Sequence, residues 1–285
     1  MPVAPGGSTD TIARLIGQKL QDSWGQPVVV DNRPGASGTI GATAVTKAPA
    51  DGYTVLLAIS TVVQAPALMA KPPYNVVKDL QAVSQLGVSP SPMLVPVALP
   101  VSTLKDFITY SKSHAGASFG SWGNGSTAHM LGLLLNRQAG LDMAHVPYKG
   151  VPPIATDLIG GLLTSGFTDM ATALAHSKTL KPLAVAAPQR VKAMPDVPTF
   201  KELGYRDMDR LGWYGFFMPA GTPLPIVNKF SAEVIRIMRL PDVASRISDM
   251  SIVLVGSTPA EFTAVVRNDA QFYARTYKEL DIRAD

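Results

Sequence analysis

The sequence predicts an α/β protein of two lobes, each a mostly parallel sheet flanked by helices. Strand-like and helix-like segments alternate almost from end to end, which is the pattern of parallel strands joined by crossover helices. A fresh series of such units begins after Pro100, and beyond the loop Pro219-Ala220-Gly221-Thr222-Pro223 the chain returns to long helices that need a sheet to cover. The first block is the one short of partners, so the chain crosses between lobes twice, near Leu99 and near Phe217. Residues 1–99 with 218–285 then form one lobe and 100–217 the other, with a ligand cleft expected between them. At 285 residues and 46% hydrophobic content there is material for two cores.

In chain order, Met1-Pro2-Val3-Ala4-Pro5-Gly6-Gly7 reads as the end of a strand entering a glycine-rich loop. A helix over 10–24 follows from the apolar stripe Ile12, Leu15, Ile16 and Leu20, with Ser8 or Thr9 where a cap belongs. Residues 28–30 read as a buried strand and 53–59 as another; between them Arg33-Pro34-Gly35-Ala36-Ser37-Gly38 is a loop feeding a small-residue, close-packing helix over 39–47. The second series runs helix 104–113, strand 118–121, helix 127–138, strand 143–146, helix 151–159 and strands 163–168 and 180–186. Strand 211–217 leads out to helices 225–239 and 259–280, joined through a strand over 252–255.

Composition removes several function classes. Charged residues are only 16%, and the net charge of +4 is spread thinly, so there is no block of like charge for nucleic acid to bind. The absence of cysteine rules out disulfides and thiolate metal sites without fixing a compartment. No apolar run approaches the ~20 residues of a membrane span. The four histidines have no G-x-S-x-G elbow to serve, and His114, His145 and His176 lack metal-ligand spacing, so neither hydrolase chemistry nor a metal is expected. A secretory signal is not seen, but the opening on a strand end suggests residues upstream of this numbering, so its absence does not count against export.

Two strand-to-helix loops carry the candidate chemistry. In Pro5-Gly6-Gly7-Ser8-Thr9-Asp10, glycine permits close approach of a ligand, while helix-start amides and the hydroxyls of Ser8 and Thr9 offer donors to an anion. A plain helix cap with Asp10 in the first turn accounts for the same residues. The P-loop lysine is missing. In Ser121-Trp122-Gly123-Asn124-Gly125-Ser126-Thr127-Ala128-His129, the stretch 123–128 fits the dinucleotide pattern G-x-G-x-x-A, which makes an oxidoreductase the rival reading. That pattern wants an acid at the end of the next strand, and Asp142 stands before it, so the rival weakens. His129 reads as a structural partner or a ligand donor before it reads as a general base, and Trp122 either stacks on a ligand or packs on the facing lobe.

Pro5 to Asp10, Asp31-Asn32-Arg33-Pro34-Gly35-Ala36, Lys47-Ala48-Pro49-Ala50-Asp51-Gly52-Tyr53, Gly123 to Ser126, His145-Val146-Pro147-Tyr148-Lys149-Gly150, Pro219 to Pro223 and Val255-Gly256-Ser257-Thr258-Pro259-Ala260-Glu261-Phe262 follow one another over nearly the whole chain. In that order they resemble the signatures of the Bug family, the extracytoplasmic receptors of tripartite tricarboxylate transporters. The resemblance implies a periplasmic, monomeric Venus-flytrap protein without cofactor or catalysis. It implies a small organic carboxylate as ligand, a di- or tricarboxylate or an aromatic acid, and transporter subunits as partner. It also implies a site made of Pro5, Gly6, Gly7, Ser8, Asp10, Ser121, Trp122, Asn124, Gly125, Ser126 and His129, with Ser60 and Thr61 after the strand over 53–59 and Asp169 facing the cleft. A ligand sensor for a signalling partner shares this binding physics. Trp122 in place of a small residue and the apolar Ser60-Thr61-Val62-Val63 lean toward a ligand with some apolar body.

Overall fold

The computed structural model describes residues 1–3 and 5–283; the Ala4 of the expected opening strand lies outside them. Two compact units emerge, Met1–Val88 with Trp213–Asp285, and Ser89–Gly212. The chain runs through α1 (Ser8–Trp24), a 3₁₀ turn at Ala36–Gly38, α2 (Thr39–Thr46), β1 (Leu56–Ile59), α3 (Thr61–Ala67), α4 (Val76–Asp79) and β2 (Leu80–Ser89). The second unit holds β3 (Ser91–Pro96), α5 (Leu104–Ser113), β4 (Ser118–Ser121), α6 (Thr127–Ala139), β5 (Ala144–Pro147), α7 (Pro152–Ile159), β6 (Ser165–Phe167), α8 (Met170–Ala175) and β7 (Leu180–Ala186). β8 (Gly212–Pro219) leads back to α9 (Leu224–Met238), α10 (Pro241–Asp249), β9 (Val253–Leu254) and α11 (Pro259–Glu279). The chain passes from one unit to the other at Val88–Ser89 and at Gly212–Trp213, and not at the expected Leu99 and Phe217, which lie in the turn after β3 and inside β8.

Local chemistry explains most of these boundaries. In α1 the stripe Ile12, Ile16 and Leu20 is buried against Leu57 of β1, Phe216 of β8 and Val227, Phe230 and Val234 of α9. Gly25, left-handed at φ 66°, returns its N–H to the Gln21 carbonyl and ends that helix. Thr103 with Asp106 and Thr258 with Glu261 close capping boxes that start α5 and α11.

The sheets are mixed where mostly parallel ones were expected. The first unit's sheet has the order β1-β8-β2-β9, with β1–β8 and β2–β9 antiparallel. The second's order is β5-β4-β6-β3-β7, in which β4 lies parallel to β5 and β6 while β3 lies antiparallel to β6 and β7. The cause is connectivity. β2 passes to β3 through Pro90 with no helix between, so β3 does not enter its sheet by the crossover that parallel pairing requires.

Residues 28–30 are not a buried strand. Val29 is 86% exposed, and the pairing found nearby is Met1 N–H to the Asp31 carbonyl and Arg33 N–H to the Met1 carbonyl. β-branched residues favour a strand only where a neighbouring strand pairs with them, and among the described residues none pairs with Val28–Val30. β1 starts only at Leu56, leaving Tyr53 almost fully exposed.

Phe119 of β4, fully buried, packs against the one glycine of α6 that faces it. A Cβ at Gly132 would stand 2.0 Å from Phe119 Cε2. Alanine gains about 1 kcal/mol of helix propensity over glycine, but overpacking a rigid core costs about 1–3 kcal/mol. Gly132→Ala is therefore expected to lower the melting temperature of the protein; a rise in a thermal-melt measurement would mean that the Phe119 ring moves aside at no cost.

Candidate functional site

The first unit's turn is organised from beneath by one carboxylate. Asp10, in the first turn of α1 and only 4% exposed, accepts Gly6 N–H and Arg14 Nε on Oδ2, both at 3.0 Å. Its Oδ1 accepts Asn32 Nδ2 at 3.0 Å, and the same amide nitrogen reaches the Val3 carbonyl at 3.2 Å. Arg14, the Gly6 amide and Asn32, in that order of effect, pull the Asp10 carboxyl down to about 2. Both oxygens are thus engaged within the protein, so Asp10 shapes the turn from behind.

What the turn shows outward is neutral. α1 begins with Gly7 as its N-cap, extended at φ −82° and ψ 174° and without a side-chain cap bond. This corrects the expected Ser8 or Thr9 cap: both lie inside the first turn, because the chain enters extended through two glycines and the hydroxyls arrive one residue late. The first helical bond is Thr11 N–H to the Gly7 carbonyl, so the amides of Ser8, Thr9 and Asp10 fall in the group that a helix leaves without an internal partner. Pro5, Gly6, Gly7 and Ser8 are exposed, and a Cβ built on Gly6 or Gly7 meets nothing within 4 Å. An anion therefore finds amides, the Ser8 hydroxyl and the positive end of the helix dipole in open space. In the same unit Ser60, buried, and Thr61, half-buried, follow the carboxyl end of β1, with Ser60 N–H held by the Trp213 carbonyl at 3.0 Å.

The second unit's loop joins β4 to α6. Ser126 is the N-cap of α6, its Oγ accepting His129 N–H at 3.2 Å. Gly123 and Gly125 take φ of 138° and 66°, values that a side chain would strain. Ser121 is fully buried; its Oγ accepts Gly123 N–H at 3.2 Å and sits 2.7 Å from His145 Nε2. Gly125 N–H donates to His129 Nδ1 at 3.1 Å, and the imidazoles of His129 and His145 stack at 3.7 Å, 7° from parallel. Burial lowers both histidines to about 4, with His145 adding to the effect on His129, so both rings are neutral at pH 7. Asn124 lies exposed at the crest.

Two further expected residues have local roles. Trp122 is half-buried against its own unit's core beside Ile154, Leu158 and Leu163, so part of the indole is spent within that unit. Asp169 is the N-cap of α8, its Oδ1 accepting Thr172 N–H at 2.8 Å. Sequence reasoning missed Arg14, Asn32 and His145. The signals were present: an Asp–Arg pair at i, i+4, and two residues inside the signatures beginning at Asp31 and His145. Among the described residues no group of His, Asp and Glu is arranged to hold a metal, and no helix is long and apolar enough to cross a membrane.

A family model described as the tripartite tricarboxylate transporter family receptor matches residues 12–278. The chain is 34% identical over 284 residues to protein BugT of Bordetella pertussis, covering 98% of this chain and 87% of that one. Among solved structures, MatC from Rhodopseudomonas palustris with bound malate is 32% identical at a TM-score of 0.81, covering 96% of each chain. A second R. palustris protein, with adipate, is 28% identical at 0.85 over 99% of this chain and 96% of that one. The periplasmic binding protein BugD is 29% identical at 0.83 over 100% and 97%.

The depressed Asp10 makes the turn acid-sensitive with a definite sign. A carboxyl whose folded value, about 2, lies below its unfolded one stabilises the protein at higher pH. That contribution is complete above the unfolded value of about 3.9 and is lost as the pH falls from there toward the folded value. Carboxyl-carbon NMR should find Asp10 titrating near 2, and Arg14→Ala should raise it, since Arg14 is the largest cause. An Asp10 at the ordinary value, or one indifferent to Arg14→Ala, contradicts this account.

Proposed function

The chain belongs to the tripartite tricarboxylate transporter receptor family, and from that premise we propose that it is a periplasmic receptor that captures a small organic carboxylate and delivers it to a transporter of the tripartite type. The observation that carries the reading is the Asp10 hub. By turning its charge inward onto Arg14, the first unit leaves only amides and a hydroxyl at the open start of α1, an environment that attracts a carboxylate. In the second unit the Gly123, Gly125 and Ser126 amides are engaged within the loop, and the neutral polar groups it contributes to the reading are the exposed Asn124 and the Ser126 hydroxyl. In this reading Ser60 and Thr61 of the first unit and Trp122 and Asp169 of the second add to the groups a ligand meets. Malate and adipate, carried by the two R. palustris relatives, are small organic carboxylates of the class this reading names.

The reading assigns no reaction. Ser121 and His145 stand at hydrogen-bond distance, as a nucleophile and its base would, but the Ser121 side chain is fully buried and also bonded to its own loop. The dinucleotide rival loses further ground, since Asp142 precedes β5 and the strand ends at Pro147.

Melting curves with malate, adipate, citrate and benzoate, beside nicotinamide cofactors, test the proposal. A ligand at 100 times its Kd adds about 2.7 kcal/mol to the native state, which such curves resolve. Stabilisation by at least one carboxylate and by no cofactor is expected; the reverse pattern overturns the reading. Gly7→Val tests the site itself. Its backbone is extended and a Cβ there meets nothing within 4 Å, so the variant should melt close to the parent yet lose carboxylate binding. Retained affinity would remove the Pro5–Asp10 turn from the site.

A further inference from the structure

We propose that His145 is a positioning residue for the Ser121–Ser126 loop, acting with His129 as a neutral stacked pair that fixes the loop's main chain at Gly123 and Gly125. The proposal rests on the reading above, in which that loop belongs to the ligand site. It assigns a role to a side chain outside the candidate site residues.

The loop needs fixing from outside its own main chain. Within itself it makes Ser126 N–H to the Gly123 carbonyl at 3.2 Å, and two of its residues sit at φ values open chiefly to glycine, the least constrained residue. Two side-chain anchors supply the constraint. His145 Nε2 meets Ser121 Oγ at 2.7 Å, and that same hydroxyl accepts Gly123 N–H, so His145 fixes Gly123 through Ser121. His129 Nδ1 accepts Gly125 N–H, which requires that nitrogen to carry no proton. The stack joins the two anchors: the rings lie 3.7 Å apart, and Phe119 of β4 stacks on His145 at 5.0 Å.

Protonation breaks the His129 anchor and opposes the stack. A proton on His129 Nδ1 would set donor against donor at Gly125, and charge on both rings would place two cations face to face in a half-buried stack. Among the described residues no compensating acid acts on them. β4 and β6, which pack against α6, contain no ionisable side chain. Arg137 on α6, Asp142 and Lys149 flanking β5, and Tyr148, whose hydroxyl donates to Asp157, do not figure among the causes acting on either ring. Because the folded values, about 4, lie below the ordinary histidine value, the neutral pair is retained more firmly than in the unfolded chain. The loop is thus at full strength above the unfolded value of about 6.5 and loses stability as the pH falls from there to the folded value.

The test is made on ¹⁵N-labelled protein without ligand and then with malate and adipate. His145→Phe keeps a ring in the stack and removes the bond to Ser121; His145→Gln restores a hydrogen-bonding group there. Ser121→Ala cuts the same bond from the other side should the phenylalanine variant not fold. At pH 7 the Gly123 and Gly125 amides of His145→Phe should shift and exchange about tenfold faster, the factor that ~1.4 kcal/mol represents, with recovery in His145→Gln. In the wild type the same two amides should move together with the ring resonances of His129 and His145 on acidification. Amides in His145→Phe that superimpose on the wild type overturn the proposal, as do wild-type amides that ignore the ring titration. Altered amides with unchanged affinity for a carboxylate that binds the wild type would leave the positioning role standing and sink the loop's place in the ligand site. If neither carboxylate binds, the amides alone decide.

Discussion

A glycine-rich turn that starts a helix above a buried carboxylate depends on where that internal charge is spent. Asp10 resolves this by saturation. Three donors from three parts of the chain, the Gly6 amide, Arg14 and Asn32, take up both oxygens. The arrangement ties the incoming turn to α1 and to the segment at Asn32, and it neutralises the charge with an arginine one helical turn away. A carboxylate so held is worth more as a fastener than as a capping charge, because removing any donor would leave a poorly satisfied buried oxygen. The open glycines in front of it can then be open because the geometry is set behind them.

The second unit reaches the same end by different chemistry. Its loop also leaves a strand and starts a helix, but its fasteners are a serine and two imidazoles held uncharged by burial. In both units the polar side chains that fix the loop bond back onto its own main chain, Asp10 to the Gly6 amide, Ser121 to the Gly123 amide and His129 to the Gly125 amide. Under the proposed reading, neutral donors suit a receptor that must also release its ligand. A fully desolvated ion pair costs several kcal/mol per charge to assemble and is strongly destabilised when one partner leaves, whereas amide hydrogen bonds exchange with water at a modest net cost.

Much of this was readable in the sequence where one local signal decides the outcome. α5, β4 and β7 lie on their expected residues because a capping box at Thr103 starts α5, Gly116 and Gly123 bracket β4, and the apolar run 183–186 marks β7. The pair β2 and β3 escaped notice, since Ser84, Gln85, Ser89, Pro90 and Ser91 break both the alternation and the apolar run; their burial comes from a sheet that only the fold supplies. Residues 28–30 failed in the opposite sense, with strand composition but no partner. The two candidate loops were legible and their supports were not: Asp10 was visible, whereas Asn32 becomes its partner only when the chain, 22 positions further on, comes back to it.

The same limit explains why His145 looked inert. Read alone, a histidine in a strand with no acid or second ligand at useful spacing is a structural residue. Its significance lies in a partner 16 residues earlier in the chain, His129, and in a ring-to-ring distance that no spacing rule encodes. Stacking needs both rings neutral, neutrality needs burial, and burial needs Phe119 and the close approach of α6 that Gly132 permits. The chain of dependence therefore runs from a glycine in a helix, through an aromatic core residue, to the protonation state of two imidazoles and so to the shape of a loop. Each link is ordinary packing, and the loop is as well ordered as the least stable of them allows.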